Sequence, residues 1–175
     1  MRALYDEPQL LQAPEAGGIQ PPSAEAVREH VYLYPGQVFA SAKPARITTI
    51  LGSCIAVCLY DAGRRIGGMN HFMLPHYAGS GVESARFGNI AMTELFARLT
   101  ALGARLPFLE ARVFGGSCMF GPASTANHLG IKNEQFARET LAARGIRILE
   151  TETGGGRGRK LVFHTDEGKA WLNSI

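Results

Sequence analysis

The chain has 175 residues, 46% hydrophobic and 19% charged, with a formal charge of +3. That profile fits a globular domain with room for a core and excludes a fibrous or wholly disordered protein. So small an excess of base gives no general attraction to nucleic acid or anionic membrane. No run approaches the roughly 18 apolar residues of a spanning helix, and the first thirty residues lack the basic start and apolar stretch of a secretory signal. The expectation is a soluble cytoplasmic protein with no direct membrane insertion.

Residues 1–30 hold four of the nine prolines and few β-branched residues, so they read as a flexible tail, with one domain over 31–175. "VYLY" and "QVFASA" read as short strands on either side of Pro35-Gly36. "ARITTILG" and "CIAVCLYD" read as a longer extended pair broken at Gly52, and "IGGMNHFMLP" as a strand ended by Pro75. Residues 76–83 are expected in a loop. From Ser84 the period becomes helical, with Phe87, Ile90, Ala91, Leu95, Leu99 and Leu102 on one face and Gly103 as terminator. "LEARVF" is a strand and "GGSCMFGPASTANHLG" a long loop. Asn133 is expected to cap a helix running to Gly145. "IRILETET" is a strand, "GGGRGRK" a turn, and "LVFHTD" and "KAWLNS" a closing pair. This order predicts an α/β domain whose largely antiparallel, β-sandwich-like sheet core is flanked by helices.

Cys54, Cys58 and Cys118 are too few and too unevenly placed for a disulfide framework. Along one strand Cys54 and Cys58 would lie ~13 Å apart, too far for one metal ion, so no metal is expected. Nucleophilic chemistry fits better, because it needs a thiol within reach of a base. A hairpin closed by an Ala62-Gly63 turn sets Cys54 opposite His71, and any even loop keeps the two on one face, opposite or diagonal. Cys58, paired with Gly67 in that register, reads as core. Cys54 sits at the Gly52-Ser53 corner, open to a substrate. His30, His76, His128 and His164 read as structural or solvated.

"LGSCIAVCLYD" followed by "GGMNHFMLP", with "GGSCMF", "LGIKNEQF" and "TGGGRGRK" in order downstream, resembles the chemoreceptor glutamine deamidase family, CheD, of bacterial chemotaxis. The resemblance covers most of residues 45–163. It implies the fold of CheD and cytotoxic necrotizing factor-type cysteine hydrolases, and no cofactor. The implied activity is conversion of glutamines to glutamates on methyl-accepting chemotaxis receptors, with receptor glutamyl methyl-ester hydrolysis as a second activity. The implied partners are those receptors and a CheC-type phosphatase. The family's cysteine and histidine map onto Cys54 and His71. Its threonine, six residues before the cysteine, maps onto Thr48, with Thr49 the competing position. A straight strand would hold Thr48 ~20 Å from Cys54, so the chain must bend, at Leu51-Gly52.

The expected chemistry is attack by a Cys54 thiolate held by His71, with Thr48 orienting the ring and a thioester intermediate. Ser53, the Cys54 backbone amide and Asn70 are candidates for substrate or oxyanion contact. Arg157 and Arg159 are candidates for docking an acidic receptor surface. The rival readings are a receptor- or phosphatase-binding adaptor with little catalysis, and a different cysteine amidase or protease.

Overall fold

The computed structural model describes residues 27–79, 81–118 and 128–175. The tail assigned to the start of the chain therefore falls largely outside the described residues, as do residues 119–127 of the long loop. The described fold begins ahead of Val31. Strand β1 spans Glu29–Tyr32, and Arg28 is paired with Asp166 through Nε at 2.9 Å.

Among the described residues nine strands form two sheets. The remaining strands are β2 (Gln37–Ser41), β3 (Ala45–Leu51), β4 (Ile55–Asp61), β5 (Ile66–Phe72), β6 (Leu109–Gly115), β7 (Arg147–Thr153), β8 (Arg159–His164) and β9 (Ala170–Ser174). One sheet runs β1-β3-β8-β9 and the other β2-β5-β4-β6-β7. Pairing is antiparallel except for β1 beside β3 and β6 beside β7. Helices α1 (Gly88–Ala101) and α2 (Leu129–Ala143) both pack on the five-stranded sheet. The layers are thus sheet, sheet, helices.

Strand alternation divides the core in two. Ile55, Val57 and Leu59 of β4 face the helices with Phe72, Leu95, Leu99, Val113 and Leu141. Ala56, Cys58 and Tyr60 face the other sheet with Ile47, Leu51, Met69, Phe114 and Phe163. Because β4 is covered on both sides, all seven of its residues are buried, as expected for a central strand.

Two local expectations are corrected. The β4–β5 turn has four residues, since Asp61 pairs with Ile66, and Ala56 rather than Cys54 stands opposite His71. Arg65 takes a left-handed conformation, φ 56°, to close that longer turn. Helix α2 begins at Leu129 with His128 as its cap, His128 Nδ1 accepting from Gly130 N. Asn133 is therefore inside the helix and fully buried, not at its start. Gly103 (φ 96°) and Gly145 (φ 66°) follow the two helices in the left-handed region expected of terminators.

Candidate active site

The bend expected at Leu51-Gly52 is where the chain crosses from one sheet to the other. Strand β3 ends at Leu51 in the four-stranded sheet and β4 starts at Ile55 in the five-stranded one. Gly52, Ser53 and Cys54 form the corner between them. Each of the three carbonyls accepts a hydrogen bond from a different donor. Ser117 N–H donates to Gly52 O at 2.8 Å, Asn133 Nδ2 to Ser53 O at 3.0 Å, and Gly116 N–H to Cys54 O at 2.8 Å. Gly115, at φ 110°, lies against the Cys54 carbonyl so closely that a Cβ would collide with it.

The loop supplying these donors is itself anchored. Buried Arg159 donates to Ser117 Oγ at 2.6 Å, to Glu152 Oε1 at 2.9 Å and to the Gly154 carbonyl at 2.9 Å. One guanidinium thereby joins "GGSC" to "GGGRGR", the planar fork suiting three acceptors at once. Arg159 is spent on this task and is not presented for docking, whereas Arg157 is exposed.

His71 lies on the face of β5 that looks into the space between the sheets, and only 1% of its surface is exposed. The four-residue turn is even, so continuing the register of β4 and β5 one residue beyond Ile55 puts Cys54 on the same side as His71, a diagonal step away. Cys54 packs against the core between the sheets and is half-buried. Cys58, two residues beyond Ala56, is sealed in that core. Burial pushes its thiol far above the ordinary range, against the smaller pull of Arg112.

The hydroxyl that meets the imidazole belongs to Thr49. Its Oγ1 lies 2.9 Å from His71 Nδ1 and 2.7 Å from the Leu33 carbonyl. A hydroxyl has one proton, and the carbonyl can only accept, so Thr49 donates to Leu33 O and accepts from Nδ1–H. This chain fixes the tautomer: Nδ1 carries the hydrogen and Nε2 the free lone pair. Nε2 is buried and has no hydrogen-bond partner among the described residues. Thr48 does not take the expected place. Successive residues of a strand face opposite ways, and Thr48 is directed with Arg46 and Ile50 to the outer face, while Ala45, Ile47, Thr49 and Leu51 point inward. Its backbone carbonyl accepts from Leu33 N–H at 2.9 Å, which ties down the chain that carries the Thr49 acceptor.

Asn70 is likewise on the wrong face. It alternates with His71 and points to the helices, where Oδ1 accepts from Val57 N–H at 3.0 Å and Nδ2 donates to Met92 Sδ at 3.2 Å. It is unavailable to an oxyanion. Ser53 contributes its carbonyl to the corner. The Ser53 and Cys54 amides donate to no described residue.

Burial sets the protonation of the pair. It lowers the His71 imidazole to about 4, opposed by a smaller contribution from the Leu33 carbonyl, and it pushes the Cys54 thiol up, opposed by Cys54's own amide. Both directions favour a neutral thiol beside a neutral imidazole over the thiolate expected from the sequence. Sγ and Nε2 make no hydrogen bond with each other in the free protein, so a proton passes from sulfur to Nε2 once the two close on a bound carbonyl carbon.

Beside Met73, just past the end of β5, a mostly apolar recess of about 610 Å³ is lined by Met73, Leu74, Val82, Arg86 and Phe87. No described helix is long and apolar enough to cross a membrane.

Residues 73–174 match the family model described as CheD chemotactic sensory transduction. A probable chemoreceptor glutamine deamidase CheD 1 of Anaeromyxobacter dehalogenans is 45% identical over 85% of this chain and 86% of its own length. A probable chemoreceptor glutamine deamidase CheD of Rhodospirillum rubrum is 42% identical over 82% and 81%. Its counterpart in Trichlorobacter lovleyi is 42% identical over 81% and 88%. The family model begins just after His71, but the relatives extend over most of the chain, and on this evidence the chain belongs to the CheD family.

Proposed function

We propose that this protein deamidates glutamine side chains of methyl-accepting chemotaxis receptors in the cytoplasm, with Cys54 as nucleophile and His71 as base. The observation that carries the reading is the buried, unpartnered His71 Nε2, held in its basic tautomer by Thr49 on the face it shares with Cys54.

Sulfur attacks the carboxamide carbon as Nε2 takes its proton, so no free thiolate is required. The oxyanion accepts from the Cys54 N–H. The tetrahedral adduct collapses as Nε2–H protonates the departing nitrogen, releasing ammonia and leaving a thioester. His71, neutral again, removes a proton from water as the water attacks, and glutamate leaves as sulfur regains the proton. A glutamyl methyl ester can enter the same cycle with methanol as the leaving group. Thr49 serves as a positioning residue, fixing ring and tautomer without touching substrate.

The recess beside Met73 suits an apolar side chain one turn away from the target on a receptor helix, and exposed Arg157 suits an acidic neighbour. A CheC-type phosphatase would compete with receptors for the same corner. Incubation with receptor cytoplasmic fragments, read by mass spectrometry, tests the reading. The expected outcome is glutamine-to-glutamate conversion without chain cleavage, abolished in Cys54→Ala. Peptide cleavage, or activity that survives Cys54→Ala, sinks it.

A further inference from the structure

Asn133 belongs to a helix and lies 79 positions beyond Cys54 in the sequence, yet its side chain ends at the nucleophile's corner. Both hydrogens of Nδ2 are used, one on Ser53 O at 3.0 Å and one on Met73 O at 2.8 Å. The orientation of the amide is forced. Both neighbours are carbonyls and can only accept, so turning the group over would set oxygen against two oxygens. Oδ1 has no partner among the described residues. The side chain is therefore fully buried with its donors satisfied and its acceptor not, an arrangement that works against stability.

The bond to Ser53 O has a consequence at Cys54. A trans peptide is planar, and its C=O and N–H point in opposite directions. The Ser53 carbonyl and the Cys54 N–H share one peptide plane, so holding the first fixes the direction of the second. The Cys54 N–H donates to no described residue, and it belongs to the residue that carries the sulfur. On the neighbouring plane, the Ser117 bond to Gly52 O fixes the Ser53 N–H in the same manner. The Met73 bond joins this corner to the end of β5, two residues beyond His71.

We propose that Asn133 is a positioning residue for deamidation: by gripping the Ser53 and Met73 carbonyls it aims the Cys54 N–H as the oxyanion donor and sets the corner against the His71 strand. This rests on the reading of Cys54 as the nucleophile of a deamidase. Asn133 touches neither substrate nor sulfur; it acts through a peptide plane.

The test uses the full chain, with Asn133→Leu, which keeps the volume and removes both donors. Turnover of a receptor fragment is measured beside alkylation of Cys54 by iodoacetamide, a reaction in which no oxyanion forms. The expected result is a kcat lower by about 100-fold or more, as for loss of an oxyanion donor, with KM and the alkylation rate each within about threefold of wild type. A merely structural role would reduce alkylation together with turnover, and that result, or a kcat near wild type, overturns the proposal. In case the variant does not fold, wild-type protein is also examined by amide NMR with a peptide aldehyde analogue of glutamine. The Cys54 amide resonance is expected to move downfield as the hemithioacetal forms, and an unmoved resonance overturns the proposal. Absence of deamidation by wild type would instead overturn the underlying reading, so the two failures are told apart.

Discussion

The Thr49 hydroxyl accepts from His71 Nδ1 at 2.9 Å while passing its own proton to the Leu33 carbonyl at 2.7 Å, so a residue of one sheet sets the tautomer of a base on the other. Thr49→Val keeps the shape and leaves both Nδ1–H and Leu33 O buried without a partner. The change should destabilise the fold by about 1–3 kcal/mol and lower kcat by about tenfold or more, since 1.4 kcal/mol of lost orientation is a factor of ten. Thr48→Val, on the outer face, should leave kcat within about twofold. Steady-state kinetics on the two variants decides between neighbouring threonines, and a larger loss from Thr48→Val would reverse the assignment.

Stability should fall in mild acid because of His71. Its folded value of about 4 lies below the ordinary 6.5, so the unfolded chain binds the proton first as pH drops. The contribution of neutral, buried His71 is intact above about pH 6.5 and is lost progressively toward pH 4, a change of roughly 3 kcal/mol by linkage. Urea midpoints measured from pH 7.5 down to 4.5 should show this slope, and His71→Asn should flatten it. An equal slope in both proteins would mean that other groups carry the effect.

Thiol chemistry should distinguish a neutral pair from a preformed ion pair. Burial raises Cys54, so its alkylation rate should still be climbing with pH beyond the range where an ordinary thiol begins to level off. Cys58, fully buried, should stay unlabelled until the protein unfolds. A rate already at its plateau near pH 7 would indicate a stable thiolate and contradict the neutral ground state.

The arginines of "GGGRGRK" should separate cleanly. Arg159→Met removes its bonds to Ser117, Glu152 and the Gly154 carbonyl, the first of which joins the "GGSC" and "GGGRGR" loops, and should cost about 1–3 kcal/mol, with a loss of kcat because Ser117 holds the Gly52 carbonyl. Arg157→Ala should leave the melting temperature unchanged and raise KM for receptor fragments. Thermal unfolding and kinetics on both variants test this, and equal melting temperatures would remove the structural role given to Arg159.

Gly115→Ala should be among the more damaging small substitutions. The residue sits at φ 110°, and a methyl group would meet the Cys54 carbonyl. The corner must then shift, and the expected outcome is a loss of more than about 1 kcal/mol in stability together with most of the activity. Wild-type kinetics in this variant would show that the corner tolerates displacement.

Much of the fold was legible because period-2 and helical patterns are written locally. "ARITTIL" and "CIAVCLY" announce strands, and Gly103 and Gly145 mark the ends of helices as expected. Cys54 shares a face with His71 although the turn is longer than the sequence suggests, since parity alone decides the face and the turn is even. The family's spacing points to Thr48, while the alternation of Ala45, Ile47, Thr49 and Leu51 assigns Thr49 to the inward side. The same alternation beside His71 would have removed Asn70. Asn133 and Arg159 were not recoverable as corner supports, because their contacts join segments remote in sequence and depend on how the sheets and helices stack.

His71 and Thr49 come from opposite leaves of the sandwich, and what separates the leaves is the layer of Ile47, Leu51, Met69, Phe114 and Phe163. The hydrophobic filling is therefore a calibrated spacer as well as a source of stability. Its thickness decides whether a hydroxyl on one leaf meets a nitrogen on the other. Selection on turnover then reaches side chains that approach no substrate, and a change of volume at Phe114 or Phe163 acts as a change of focus at the imidazole. In this molecule the gauge of the Thr49–His71 contact is set by the core.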